Sequence, residues 1–282
     1  MRVDSKRLKA RFDSLKKINK PGLISFITAG DPEIQTSKLI LQGLPEAGTD
    51  IIELGMPFSD PMADGPTIQA SSQRALKNGQ TMALTLEMIR QFRENNDKTP
   101  IVLMGYFNPI YIYGTQRFAK DSAMAGVDGV IIVDLPPEED EELRKPLGEV
   151  GIDIVRLITP TSDERRLLKL VPTAKGFLYY VSVTGITGTK SAAINSVQDA
   201  VNKIRQFSSL PIAVGFGIKT PEQAKEIAQI ADAAVVGSAI VKKIEDEVLK
   251  QKDNESFSSP NLIKSVLSLV STFSNAVKMA RS

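Results

Sequence analysis

Apolar residues along this chain fall into short, β-rich runs separated by helix-like stretches or polar turns. The runs Leu23–Ala29, Ile51–Met56, Ile101–Tyr106, Gly129–Asp134, Ile154–Thr159, Phe177–Ser182, Ile212–Gly217 and Ala234–Ser238 read as strands. Nearly continuous apolar strands belong to parallel sheets that helices cover on the outside. Eight of them alternating with helices predict an α/β fold, a (β/α)8 TIM barrel. The expectation is one domain over residues 1–282. A doubly wound open sheet is the main competitor. It loses ground because Ala29-Gly30-Asp31-Pro32, after the first run, is not a dinucleotide fingerprint.

The helical stretches carry their own signals. Leu8, Phe12, Leu15 and Ile18 share one helical face, which predicts an additional N-terminal amphipathic helix lying on the core rather than a targeting peptide. Asp31-Pro32-Glu33 and Thr220-Pro221-Glu222 each place a cap residue before a proline at the first helical position. The acidic stretch Glu138–Glu142 follows Pro136-Pro137 and reads as a solvated helix start. Gln251–Pro260 reads as a surface loop before a last helix from about Asn261 to Ala280.

Composition narrows the chemistry. The chain has no cysteine, which removes disulfides and thiol catalysis, and no histidine. A general acid or base must therefore be Asp, Glu, Lys, Tyr or a bound group. Metal sites built on His and Cys are impossible, and none is expected. A net charge of +2 without a basic block argues against nucleic acid as a partner. No apolar run approaches the roughly 20 residues of a membrane span. A cytoplasmic or plastid-stromal location is the expectation.

Barrel enzymes keep their chemistry at the C-terminal ends of the strands. In Ile51-Ile52-Glu53-Leu54-Gly55-Met56, alternation turns Ile51, Glu53 and Gly55 into the barrel and the other three toward helices. A lone inward glutamate needs a reason, because an unpaired buried charge is costly. Either it is a proton-transfer group whose pKa burial raises, or it forms a structural ion pair. The loop Pro57–Pro66 is stiffened by prolines and offers Asp60 and Asp64, for which turn formation is the plainer reading.

Glycines cluster after the later strands, in Thr184-Gly185-Ile186-Thr187-Gly188, Gly215-Phe216-Gly217 and Gly237-Ser238, the last opening a short helix through about Lys243. Glycines and a helix N-terminus at this end of a barrel suit a phosphorylated small molecule. Thr187–Asn195 is long and polar enough for a lid. Inward parity also selects Ile24, Phe26, Thr28, Met104, Tyr106 and Tyr179, an apolar and partly aromatic set suited to a flat ring or simply to a core. Arg156 falls on the helix-facing side of its strand, where a buried ion pair is expected.

With these residues in view, the chain resembles the tryptophan synthase α-subunit family over essentially its whole length. Ile52-Glu53-Leu54-Gly55-Met56-Pro57-Phe58-Ser59-Asp60-Pro61-Met62-Ala63-Asp64-Gly65-Pro66 is similar to the family signature almost residue for residue. Gly185–Gly188, Val214–Ile218 and Val236–Ile240 match its other motifs in order. The resemblance implies a lyase that cleaves indole-3-glycerol phosphate to indole and glyceraldehyde 3-phosphate in tryptophan biosynthesis. It assigns acid/base catalysis to Glu53, and to Asp64 the indole N–H and the positive charge developing on the ring. It gives the phosphate to Gly188, Gly217, Gly237 and Ser238, the indole pocket to Phe26, Tyr106 and Tyr179, and a lid contact with Asp64 to Thr187. It implies no cofactor in this chain. Pyridoxal phosphate belongs to a β-subunit partner in an α2β2 heterotetramer, which the loop around Asp60 would face. Val183-Thr184 depart from the pattern, since many relatives carry Arg after Ser at this point. A stand-alone lyase releasing free indole is the alternative enzyme, and a non-catalytic phosphate-binding barrel is the alternative of another class. The latter would need one carboxylate lost, and both are present. Another barrel aldolase or isomerase is a third possibility, but no Schiff-base lysine is evident at a strand end.

Overall fold

The apolar runs form parallel strands in the computed structural model, which describes residues 6–182, 190–215, 217–252 and 259–281. They are β1 (Gly22–Thr28), β2 (Ile51–Gly55), β3 (Ile101–Gly105), β4 (Gly129–Ile132), β5 (Asp153–Ile154), β6 (Arg156–Ile158), β7 (Leu178–Val181), β8 (Ile212–Gly215) and β9 (Ala233–Val236). The first strand pairs with both the second and the last, as a ring requires and an open doubly wound sheet does not. Strands β5 and β6 are two pieces of one expected run, interrupted at Val155, whose N–H still reaches the Val130 carbonyl at 3.0 Å. β5 pairs with β4 and β6 pairs with β7, so this run completes the barrel.

Strand parity separates two cores. Ile24, Ile51, Val102, Ile131, Val155, Tyr179, Ala213 and Val235 pack together inside the ring. Leu23, Ile27, Ile52, Leu54, Leu103 and Val214 face the helices outside. The floor of the ring is closed by helix Lys6–Lys17, whose Leu8 and Phe12 join the interior cluster. The Phe12 ring lies 5.6 Å from that of Phe177. Arg7 to Asp128 at 3.0 Å and Arg11 to Asp50 at 3.5 Å fasten this helix from the side.

Several local expectations are corrected. Ile18 is 62% exposed, because the helix ends at Lys17 and Asn19 turns the chain with φ of 51°. Asp31 is not a cap: Glu33 caps helix Ile34–Gly43 by accepting from the Gln35 and Thr36 N–H groups. Asp31 is buried and holds Arg74 at 2.7 Å. Thr220 does cap helix Pro221–Ile230, and Gln223 completes a capping box. The acidic stretch is only partly solvated. Asp140 is buried against Arg144 and Arg156, which gives Arg156 its ion pair. The helix opened by Ser238 is not short but runs to Lys252, and the last helix spans Ser259–Lys278. Of the loop expected over Gln251–Pro260, the first two residues are helical and 253–258 fall outside the described residues. No described helix is long and apolar enough to cross a membrane.

Candidate active site

Strand β2 places Glu53 between Phe26 of β1 and Val102 of β3, its register partners on the inner face. Two positions around it admit only glycine. A Cβ on Gly55 would stand 2.6 Å from the Phe26 ring, so its bareness makes room for that ring rather than leaving empty space above Glu53. A Cβ on Gly215 would stand 2.4 Å from the Tyr179 hydroxyl, so this glycine admits the phenol into the barrel. These side chains border a cavity of about 340 Å³ at the C-terminal ends of the strands. Pockets for small molecules begin near that size, at roughly 300 Å³.

Glu53 is 2% exposed, and its Oε1 finds no hydrogen-bond partner among the described residues. Burial, and then the negative charge of Asp64, pushes its pKa up to about 8. The Tyr179 phenol is raised well above its ordinary value by burial and by the charge of Glu53. Glu53 is thus a protonated carboxyl at neutral pH that needs little free energy to ionise. Such a group can both give and take a proton.

Asp64 comes from the loop after β2, immediately before helix Pro66–Lys77, and lines the same cavity. Burial raises its pKa, opposed by a hydrogen bond from the Tyr106 hydroxyl. That hydroxyl also accepts from the Ala63 N–H at 3.0 Å. Its own pKa is pushed up to about 12, first by burial and then by the anion beside it. The Phe58 ring packs 5.5 Å from that of Tyr106, tilted by 36°, so the loop is held on an aromatic pair. Asp64 is the more hydrated carboxylate and the natural anion of the two.

Across the cavity, on the β8 and β9 side, lie Gly217, Ile218, Lys219, Gly237 and Ser238. Ser238 begins a helix that continues to Lys252, whose N-terminal N–H groups and dipole suit an anion. No group of three or more acidic side chains that would hold a metal occurs among the described residues.

The tryptophan synthase alpha chain family model matches residues 12–268. The chain belongs to this family. Tryptophan synthase subunit alpha from Legionella pneumophila str. Paris is 35% identical, with a TM-score of 0.86 and 98% of each chain covered. A structure from Aquifex aeolicus VF5 is 36% identical, with a TM-score of 0.84 over 96% of this chain and 98% of that one. Tryptophan synthase from M. tuberculosis in its aminoacrylate-bound form is 31% identical, with a TM-score of 0.83 over 96% of this chain and 99% of the other. Membership makes the chain a carbon–carbon lyase of tryptophan biosynthesis that cleaves indole-3-glycerol phosphate.

Of the residues singled out in the sequence, Glu53, Asp64, Phe26, Tyr179, Gly217, Gly237 and Ser238 border one cavity. Tyr106 does not border it. It stands in a smaller recess behind Asp64, with Phe26 and Phe58. Thr187 and Gly188, most of the expected lid, and Val183-Thr184 lie outside the described residues. Sequence reasoning missed Ile68 and Lys219. Ile68 sits in the first turn of a helix, where no strand parity applies. Lys219 followed a glycine motif whose glycines alone had drawn notice.

Proposed function

We propose that Glu53 is the acid/base of the cleavage and Asp64 its electrostatic partner. The carrying observation is Glu53 itself, sealed from solvent, without a hydrogen bond to Oε1 among the described residues, and bordering the cavity that Asp64 also borders. The protonated carboxyl donates its proton to indole C3, and the ring nitrogen takes up the positive charge. Asp64 holds the indole N–H and stabilises that charge. The Glu53 carboxylate then accepts the proton of the glycerol hydroxyl next to C3. The carbon–carbon bond breaks, its electron pair restores the indole ring, and the hydroxyl carbon becomes the aldehyde of glyceraldehyde 3-phosphate. Glu53 ends protonated, as it began, so no cofactor is required of this chain.

Phe26 and Tyr179 sandwich the indole, and Tyr106 steadies Asp64. Gly217, Gly237 and Ser238 receive the phosphate, joined by Gly188, with Thr187 meeting Asp64, on the strength of the family resemblance. A pyridoxal-phosphate β subunit in an α2β2 complex is the proposed partner, in the cytoplasm or a plastid stroma. A physical feature favours such a partner. Met62 after β2, and Tyr111 and Ile112 after β3, are 82%, 60% and 78% exposed at the same end of the barrel as the cavity. Exposed apolar side chains grouped around a site mark a contact surface.

The test is indole release by the purified chain, with and without a β subunit, for the native protein and Glu53→Gln. The expected result is slow cleavage alone, stimulation by the β subunit, and loss of cleavage in the variant. Fast turnover that a β subunit does not change would support the stand-alone lyase. Near-normal turnover in Glu53→Gln would remove the mechanism.

A further inference from the structure

The cavity presents an electrostatic problem to its substrate. Its described lining includes two acidic side chains, Glu53 and Asp64, and a single cationic one, Lys219. A phosphomonoester brings a charge of about −1.5 to −2 at neutral pH. Entering beside Asp64, it meets like charge, and helix Ser238–Lys252 answers with only about half an elementary charge at its N-terminus. A full cation on the phosphate side removes the conflict and polarises the cavity from end to end.

Lys219 is well placed for this. It borders the cavity in one run with Gly217 and Ile218, on the same β8 and β9 side as Gly237 and Ser238. It forms no ion pair with any carboxylate among the described residues, although lysines on helix Ser238–Lys252 do, as in Lys242 with Glu245 at 2.8 Å. Its backbone is stiff. The Lys219 N–H donates to Gln223 Oε1 at 2.7 Å and the Thr220 N–H to the same atom at 3.2 Å. The capping box that starts helix Pro221–Ile230 therefore also anchors the lysine's Cα at the cavity edge. The side chain itself is exposed, with four methylenes of reach.

We propose that Lys219 is a substrate-recognition residue whose ammonium group pairs with the phosphoryl end of indole-3-glycerol phosphate and selects it over unphosphorylated indole glycerols. The inference rests on the reading that the phosphate lies against Gly217, Gly237 and Ser238. Lys219 acts in binding and not at the reacting carbons, so its removal changes KM and leaves kcat.

Steady-state cleavage by the full chain with saturating β subunit tests this in Lys219→Met and Lys219→Arg. Inorganic phosphate serves as a competitive inhibitor. Lys219→Met is expected to raise KM and the phosphate inhibition constant roughly tenfold, the scale of one charge-assisted hydrogen bond. Its kcat stays within about twofold, and its KM loses most of its rise with salt. Lys219→Arg restores both constants. Unchanged constants in Lys219→Met, or a fall confined to kcat, would overturn the proposal. Gly237→Val separates this from the underlying reading. If it weakens phosphate and Lys219→Met does not, the lysine fails and the phosphate position stands. If neither variant moves the phosphate constant, both fail.

Discussion

Asp128 and Glu53 are carboxylates sealed to nearly the same degree, 3% and 2% exposed, at opposite ends of the barrel wall. Asp128, just before β4, accepts from Arg7 at 3.0 Å, Arg93 at 2.7 Å and the Ile101 N–H at 2.9 Å. Glu53, inside β2, has an Oε1 without a hydrogen-bond partner among the described residues and a second carboxylate for a neighbour. An anion removed from water costs several kcal/mol unless it is paired and hydrogen-bonded. The protein meets that requirement at the end where the chain must be held and leaves it unmet at the end where a proton must move. The floor spends carboxylates on stability, and the open end keeps one poised.

The sharpest way to break this comparison is to neutralise each acid in turn. Glu53→Gln keeps the shape and removes the titrating proton, so cleavage falls roughly 10³-fold or more, at the upper part of the range for general acid–base catalysis. Its unfolding midpoint holds or rises. Asp128→Ala does the reverse. It leaves Arg93 half-buried without its anion and the Ile101 N–H unbonded, which costs about 3–5 kcal/mol of stability. Its kcat per folded molecule stays near normal. Urea unfolding and indole release on both proteins check the pair. A rate loss in Asp128→Ala without loss of stability would end the distinction.

Acidity sharpens it further. Glu53 titrates near 4.5 in an unfolded chain and near 8 in the native one. Between those values the native state keeps a proton that the unfolded chain has released. Stability from this group is therefore full at low pH and declines as pH rises through the window, by a few kcal/mol at most. The advantage of Glu53→Gln in urea midpoint should grow from pH 5 to pH 8. A pH-independent difference would mean that Glu53 is ionised and paired throughout.

Much of this site is legible in the amino-acid sequence. Period-two alternation in Ile51–Met56 turned Glu53 inward, and the same parity placed Phe26, Met104 and Tyr179 around it. Parity works because a strand has only two faces. It says nothing about partners, so the choice between ion pair and free acid at Glu53 had to wait for the neighbours. Asp64 had no such support, since a loop residue obeys no period. Only its burial and its bond from Tyr106 separate it from the turn-forming Asp60, which stays exposed. Asp31 misled for a related reason. A proline after an acid looks like a helix start, yet the chain needs that carboxylate for Arg74 and begins the helix two residues later, with Glu33 as its cap.

Tyr106 gives the smallest of these effects and the finest test. By resemblance it is a wall of the indole pocket, but the structure sets it behind Asp64, with its hydroxyl between that carboxylate and the Ala63 N–H. Its hydrogen bond lowers the Asp64 pKa against the rise that burial causes. In Tyr106→Phe that opposition is gone, so Asp64 is protonated at higher pH and the acid limb of kcat/KM moves upward. One hydrogen bond to a charged group, partly replaced by water at the exposed Ala63, is worth about 1 kcal/mol, a loss of roughly fivefold. A direct indole contact would behave otherwise. Phenylalanine keeps the ring, so a tyrosine that acts only by packing would leave both the rate and the acid limb where they were.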